Sequence, residues 1–137
     1  MTSQIVQAET PVVGSQVTFL YYKDLNQAAA FYEDVFGFQQ VFDRGWVKMY
    51  RTSASSHVSL IDEAESPNKT SIDKPVMLAI ETPDLAAWYE YVKFRGPEYI
   101  QRHMEVPGEG MVNSFLLFDP EGYQVEFFQW NEGYGFK

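Results

Sequence analysis

Apolar and polar positions change rhythm along the chain in the same order twice. Val17 to Gly37 reads VTFLYYKDLNQAAAFYEDVFG, and Met77 to Gly96 reads MLAIETPDLAAWYEYVKFRG. Each stretch is an apolar run ending in an Asp-Leu pair, then a segment of helical period, then a glycine, which predicts a strand, a capped helix and a helix stop. The first strand is expected over Gln16 to Tyr22. Asp24 or Asn26 caps the first helix, whose apolar positions Leu25, Ala28, Ala29, Tyr32, Val35 and Phe36 share one face, with Gly37 placed for a left-handed stop. Three strand-like runs follow, FQQVFD, WVKMYR and HVSLID, separated by Asp43-Arg44-Gly45 and by the small polar run Thr52 to Ser56.

The second half repeats this order. A strand near Pro75 to Glu81 leads to a helix capped by Thr82 or Asp84, with Leu85, Trp88 and Val92 inward and a stop at Gly96. EYIQRHM, VNSFLLF and YQVEFFQW come next, the last two joined by Asp119-Pro120-Glu121-Gly122, whose proline and glycine suit a tight hairpin. The β-α-β-β-β order thus occurs twice, an α+β pattern. The expected organisation is an N-terminal arm over 1–14, one domain over 15–130 (module one 15–62, linker 63–74, module two 75–130) and a C-terminal tail over 131–137.

Composition narrows the functional classes. The 137 residues, 45% of them apolar, suffice for one folding unit with a core of its own. Lys+Arg 10 against Asp+Glu 19 gives a net charge of −9, which repels phosphates and anionic lipid, so neither nucleic acid nor membrane is an expected partner. No run is long enough to span a bilayer and MTSQIVQAET lacks the parts of a signal peptide, so a cytoplasmic protein is expected. With Cys 0, thiolate chemistry is excluded, and a metal would need His, Asp, Glu or carbonyl ligands.

Two segments carry a family resemblance. DLNQAAAFYEDVFGF (Asp24 to Phe38) and FDPEGYQVEFFQ (Phe118 to Gln129), placed around a second Asp-Leu helix at Asp84, resemble the vicinal oxygen chelate superfamily, which includes glyoxalase I, bleomycin-resistance proteins, fosfomycin-resistance enzymes and extradiol dioxygenases. The resemblance implies two tandem modules forming a cupped, barrel-like mixed sheet that encloses a substrate and often a divalent metal. It also places the family's metal ligands. The first, His or Gln, lies seven positions before the Asp-Leu aspartate, which is Val17 here and Met77 in the second half. The last-strand carboxylate is Glu126, and its first-module counterpart falls near Ser59. One of four positions keeps a good ligand, too few for the usual three-ligand catalytic centre. No metal and no other cofactor is therefore expected. The alternative is one divalent ion at a relocated site using His57, Glu81 and Glu126, since alternation puts His57 on a face with Ser59, Tyr21 with Val17, and Glu81 with Met77. His103 has no family counterpart and reads as a surface residue.

Aromatic residues make up 17% of the chain, many on expected strands. Large rings fill any core, yet the resemblance puts Phe19, Tyr21, Gln124, Glu126 and Phe128 toward the cavity, while Trp46 and Tyr50 share a face of their own strand. The candidate ligand-binding set is Phe19, Tyr21, Trp46, Tyr50, Ser59, Phe115, Glu126 and Phe128, a mostly apolar lining suited to a flat or amphipathic small molecule. Glu126 could accept a hydrogen bond, meet a cationic ligand or act as a base. Three readings remain open. One is a metal-independent small-molecule binder of the bleomycin-resistance type. Another is a metal-dependent lyase, isomerase or dioxygenase using His57 and Glu126. The last is metal-free acid-base catalysis by His57, Tyr21 and Glu126. A homodimer is the expected assembly, and the tail after Trp130 is expected either to dock on a neighbour or to fold over the cup.

Overall fold

The computed structural model describes residues 9–105 and 110–137. Most of the expected N-terminal arm, and residues 106–109, therefore lie outside the described residues. Eight strands and two helices run β1 (Gln16–Tyr22), α1 (Leu25–Asp34), β2 (Gln39–Asp43), β3 (Val47–Ser53), β4 (Ser56–Asp62), β5 (Met77–Glu81), α2 (Leu85–Arg95), β6 (Ile100–Arg102), β7 (Val112–Phe118) and β8 (Gln124–Trp130), with single 3₁₀ turns at Glu63–Glu65 and Pro97–Tyr99. They form two four-stranded mixed sheets ordered β1-β4-β3-β2 and β5-β8-β7-β6. In each, the strand before the helix pairs in parallel with the last strand of its unit, and the other pairs are antiparallel.

Local chemistry accounts for the element ends. Asp24 caps α1 by accepting from the Gln27 amide at 3.0 Å. The helix closes at Gly37, whose φ is +70° and whose N–H reaches Glu33 O while Phe38 N–H reaches Tyr32 O. Asp84 makes no side-chain cap; Thr82 Oγ1 instead accepts from the Asp84 amide at 3.0 Å. Gly96 ends α2 with φ −155°, so it is not the left-handed stop the sequence suggests. Close approach explains the glycine: a Cβ there would lie 2.9 Å from Val35 Cγ2 and 3.0 Å from Tyr99 Cδ2. The Asp119–Gly122 turn does form, with Gly122 at φ +92° and its N–H on Asp119 O.

Both sheets turn one face to the helices. Leu20, Tyr22, Val58, Leu60 and Tyr50 from the first sheet, and Phe115, Leu117, Val125 and Phe127 from the second, join the α1 side chains in one buried cluster. Phe127 stacks on Trp88 (4.7 Å between centroids) and Phe115 (5.3 Å) and meets Phe36 edge-on (5.4 Å), linking both units through one ring. The β7–β8 turn completes the link. Glu121 accepts from the Lys23 and Asp24 amides at 2.9 and 2.8 Å, ahead of α1. The buried Asp119 carboxylate accepts from Tyr22 Oη (2.5 Å) and Tyr32 Oη (3.2 Å) through one oxygen, and from the Glu121 and Tyr123 amides through the other. Burial holds the Asp119 carboxyl above the ordinary carboxylate range, although each of these hydrogen bonds pulls it down. It also keeps both tyrosines protonated well above their usual range, as donors.

Candidate functional site on the helix-free sheet faces

Register settles which side chains share the faces turned away from the helices. On the first sheet, Phe19, Ser59, Met49 and Phe42 form one row across β1, β4, β3 and β2, and Val17, His57, Arg51 and Gln39 form the next. On the second, Ala79, Glu126, Leu116 and Arg102 make a row across β5, β8, β7 and β6. Phe19 follows Val17 by two residues and pairs with Ser59; Ala79 follows Met77 by two and pairs with Glu126. The four positions singled out by the family resemblance are thus equivalent in pairs between the sheets. These faces are only partly covered: Val17, Phe19, Phe42, Met77 and Phe118 keep 36 to 49% exposure, whereas Leu20, Tyr22, Tyr50, Val58, Leu60, Phe115, Leu117, Val125 and Phe127 on the helix side keep almost none.

The candidate residues separate when placed on this frame. Phe19 and Phe128 lie on helix-free faces, Phe128 against Trp130 at 5.4 Å. Tyr21 shares the face of Phe19, but its hydroxyl accepts from Asn68 Nδ2 at 3.0 Å, which holds the linker over that end of β1. Ser59 is fully buried there, its Oγ without a hydrogen-bond partner among the described residues. Trp46 sits half-exposed in the turn ahead of β3. Tyr50 and Phe115 depart from the expectation: both point to the helix side and are fully buried. Tyr50 pairs with Val58, donates to Glu33 Oε2 at 2.8 Å and is held protonated by burial, while Phe115 stacks on Phe127. Neither ring is open to a ligand. His103, on the surface, shares a 2.6 Å hydrogen bond with Tyr89 Oη.

Glu126 does not stand alone. Its Oε2 accepts from Arg102 Nη2 at 3.1 Å, and Arg102 Nη1 also reaches Ser114 O at 3.4 Å. Arg102, absent from the sequence-based candidates, is the partner that defines this part of the face. His57 and Glu81 line a cleft of about 540 Å³ between the starts of β1 and β4 and the free edge of β5, together with Thr18, Ser56, Met77 and Ala79. Glu126 is not among its lining residues, so the three groups proposed for a relocated metal site do not converge. Among the described residues no three His, Asp or Glu side chains cluster as metal ligands. Val17, Ser59 and Met77 bring no carboxylate or imidazole, and Glu126 is committed to a cation. The donor set does not fit a divalent ion. The tail folds back, Phe136 meeting Trp130 edge-on at 5.3 Å.

Comparison with known proteins agrees with this architecture. The chain superposes on the crystal structure of a lactoylglutathione lyase from Agrobacterium tumefaciens with a TM-score of 0.69 and 26% identity, covering 93% of this chain and 100% of that one. A glyoxalase/bleomycin resistance protein/dioxygenase from Nocardioides gives a TM-score of 0.71 at 19% identity, covering 94% and 89%. A superfamily member from Sphaerobacter thermophilus gives 0.68 at 18%, covering 86% and 98%. No curated protein sequence matches the chain. A family model matches residues 14–127, which take in every strand except the end of β8. The chain belongs to the glyoxalase/bleomycin resistance protein/dioxygenase superfamily.

Proposed function

We propose that this chain binds a small amphipathic or aromatic molecule on its helix-free sheet faces, without a metal ion. The partly exposed apolar side chains of those faces carry the reading: a band of Val17, Phe19, Phe42, Met77 and Phe118 left uncovered offers surface to a flat apolar guest. The unsuitable donor set supports binding without a cation. Simple binding is favoured over acid-base turnover because Tyr21 is tied to Asn68, Glu126 to Arg102, and Glu126 does not line the cleft that holds His57. A second copy of the chain is the natural cover for such a face, so a homodimer enclosing the ligand belongs to the same proposal, as does a cytoplasmic site of action.

Titration with 2-naphthamide, read by quenching of tryptophan fluorescence, tests it. Saturable binding that is unchanged by EDTA and weakened about threefold to tenfold by Phe19→Ala is the expected result, on the scale of one exposed ring losing its partner. Abolition of binding by chelator would refute the metal-free reading. Sedimentation at several concentrations reports the assembly, and a monomer throughout would remove the dimer from the proposal.

A further inference from the structure

We infer that Arg102 is the recognition group for a carboxylate carried by an otherwise apolar ligand, so that a guanidinium supplies the positive charge at the position of the family's metal. The inference rests on the proposed binding face and names the class of molecule it takes.

A β-bulge is the first argument. Ile100 pairs with Leu117 on the helix side, and simple alternation would leave Arg102 on that same side. The register shift between them moves Arg102 opposite Leu116, in the row of Glu126 on the helix-free face. Bulges re-aim side chains in this way and recur beside functional sites. The corresponding bulge in the first sheet, between Gln40 and Phe42, brings an apolar ring to the equivalent place.

Stability does not explain the pair. With side-chain exposures of 47% for Arg102 and 21% for Glu126, a salt bridge of this kind is screened by solvent and contributes little to stability. The same figures assign the roles. The cation is the more accessible partner, so the guanidinium is the group more open to an incoming ligand. Glu126 Oε2 and Ser114 O orient its plane through one terminal nitrogen each, and its remaining N–H groups have no protein acceptor among the described residues. A planar fork with donors to spare matches the two oxygens of a carboxylate. In a chain of net charge −9, the other Lys and Arg residues on strands among the described residues are Arg51, tied to Gln39, and Lys48, which is on the helix-side row with Leu60.

The test compares 2-naphthoate with 2-naphthamide, which share a ring system and differ in charge, by calorimetry on the full chain and on Arg102→Gln and Glu126→Gln. We expect the wild type to prefer naphthoate by about tenfold, or about 1.4 kcal/mol. Arg102→Gln should bring the two ligands within about twofold of each other, and an unchanged circular dichroism spectrum and thermal midpoint report that the variant is folded. Glu126→Gln should keep the preference, because it removes a competing anion and not the donor. Equal binding of both probes by the wild type, or a preference that survives Arg102→Gln, overturns the role of Arg102 while leaving the binding face intact. Failure of both probes to bind the wild type overturns the binding face and this inference together.

Discussion

The buried Asp119 carboxylate is the polar junction between the two units, and removing it makes a sharp test of how they are joined. Four donors converge on it: Tyr22 Oη, Tyr32 Oη and the Glu121 and Tyr123 amides. In Asp119→Ala, Tyr22 can still donate to Tyr32 at 3.3 Å and the partly exposed Glu121 amide can turn to water. Tyr32 Oη and the Tyr123 amide are then stranded in the core. At about 1–3 kcal/mol for each buried donor left unpaired, the loss is about 2–6 kcal/mol, against a usual total stability of about 5–15 kcal/mol. Asp119→Asn is the informative contrast. Burial raises the Asp119 pKa, so the native state disfavours the charge itself, and a neutral isostere that keeps an oxygen for the two amides, with Tyr22 still donating to Tyr32, strands only the Tyr32 hydroxyl proton and should cost about 1–3 kcal/mol at pH 7, less than the alanine. The pH dependence has a definite sign. A carboxyl whose native pKa lies above its unfolded value binds its proton more readily when folded, so its contribution grows as pH falls through the native pKa toward 3.8 and is lost as pH rises. Urea denaturation of wild type and Asp119→Asn at pH 7 and in mild acid should therefore show wild type gaining on the variant as pH drops. An advantage that instead shrinks on acidification would mean that the hydrogen bonds outweigh desolvation, and the reasoning fails.

Alkali probes the same junction from its donors. Tyr22, Tyr32 and Tyr50 are all held protonated by burial, while in the unfolded chain they ionise near 10.0; stability is thus complete below that pH and falls above it, and tyrosinate absorbance of these rings should appear together with unfolding, not ahead of it. Phe127→Ala removes the ring that touches Phe36, Trp88 and Phe115 and should cost about 3–5 kcal/mol in chemical denaturation; a loss below about 1 kcal/mol would show that the units do not share a core. Gly37→Ala forces a side chain into a left-handed residue against the Tyr91 hydroxyl and should cost about 1–2 kcal/mol, read from the thermal midpoint.

Much of the fold was legible because punctuation and period agreed. Asp24 caps, Gly37 takes a positive φ, and the Asp119–Gly122 turn forms where its residues demand one. Gly96 carried the same mark for a different reason, since only a tertiary neighbour, Val35, shows that the position lacks room for a Cβ. Side-chain direction was harder. Phe115 could have been placed by counting outward from the turn, because Phe118 opposite Gln124 puts Phe115 opposite Phe127, on the other face from Glu126. The run VNSFLLF hides this, being apolar at consecutive positions. Counting fails for Tyr50, because a register shift between Arg51 and Ser53 changes which residues oppose each other along β3 and β4.

The site was less legible for the same physical cause. A lone arginine in EYIQRHM carries no signal, since an exposed edge strand commonly holds charge, and alternation from Ile100 assigns Arg102 to the wrong side. A one-residue shift inverts a side chain's face, and no local preference in the sequence marks where the shift occurs. The first sheet uses the same kind of irregularity at Phe42, so the two units share a backbone device but display different chemistry with it, a ring on one face and a cation on the other. What distinguishes this chain from a bare hydrophobic cup is therefore a charge placed by an irregularity in the strand. Straightening it bears on that claim: deleting Gln101 removes the irregularity and leaves Arg102 next to Ile100, opposite Leu116 and on the helix-free face, so the preference for naphthoate should be kept, with naphthamide binding as the control for folding. Loss of the preference with naphthamide still bound would show that a place opposite Leu116 is not what presents the arginine to the ligand.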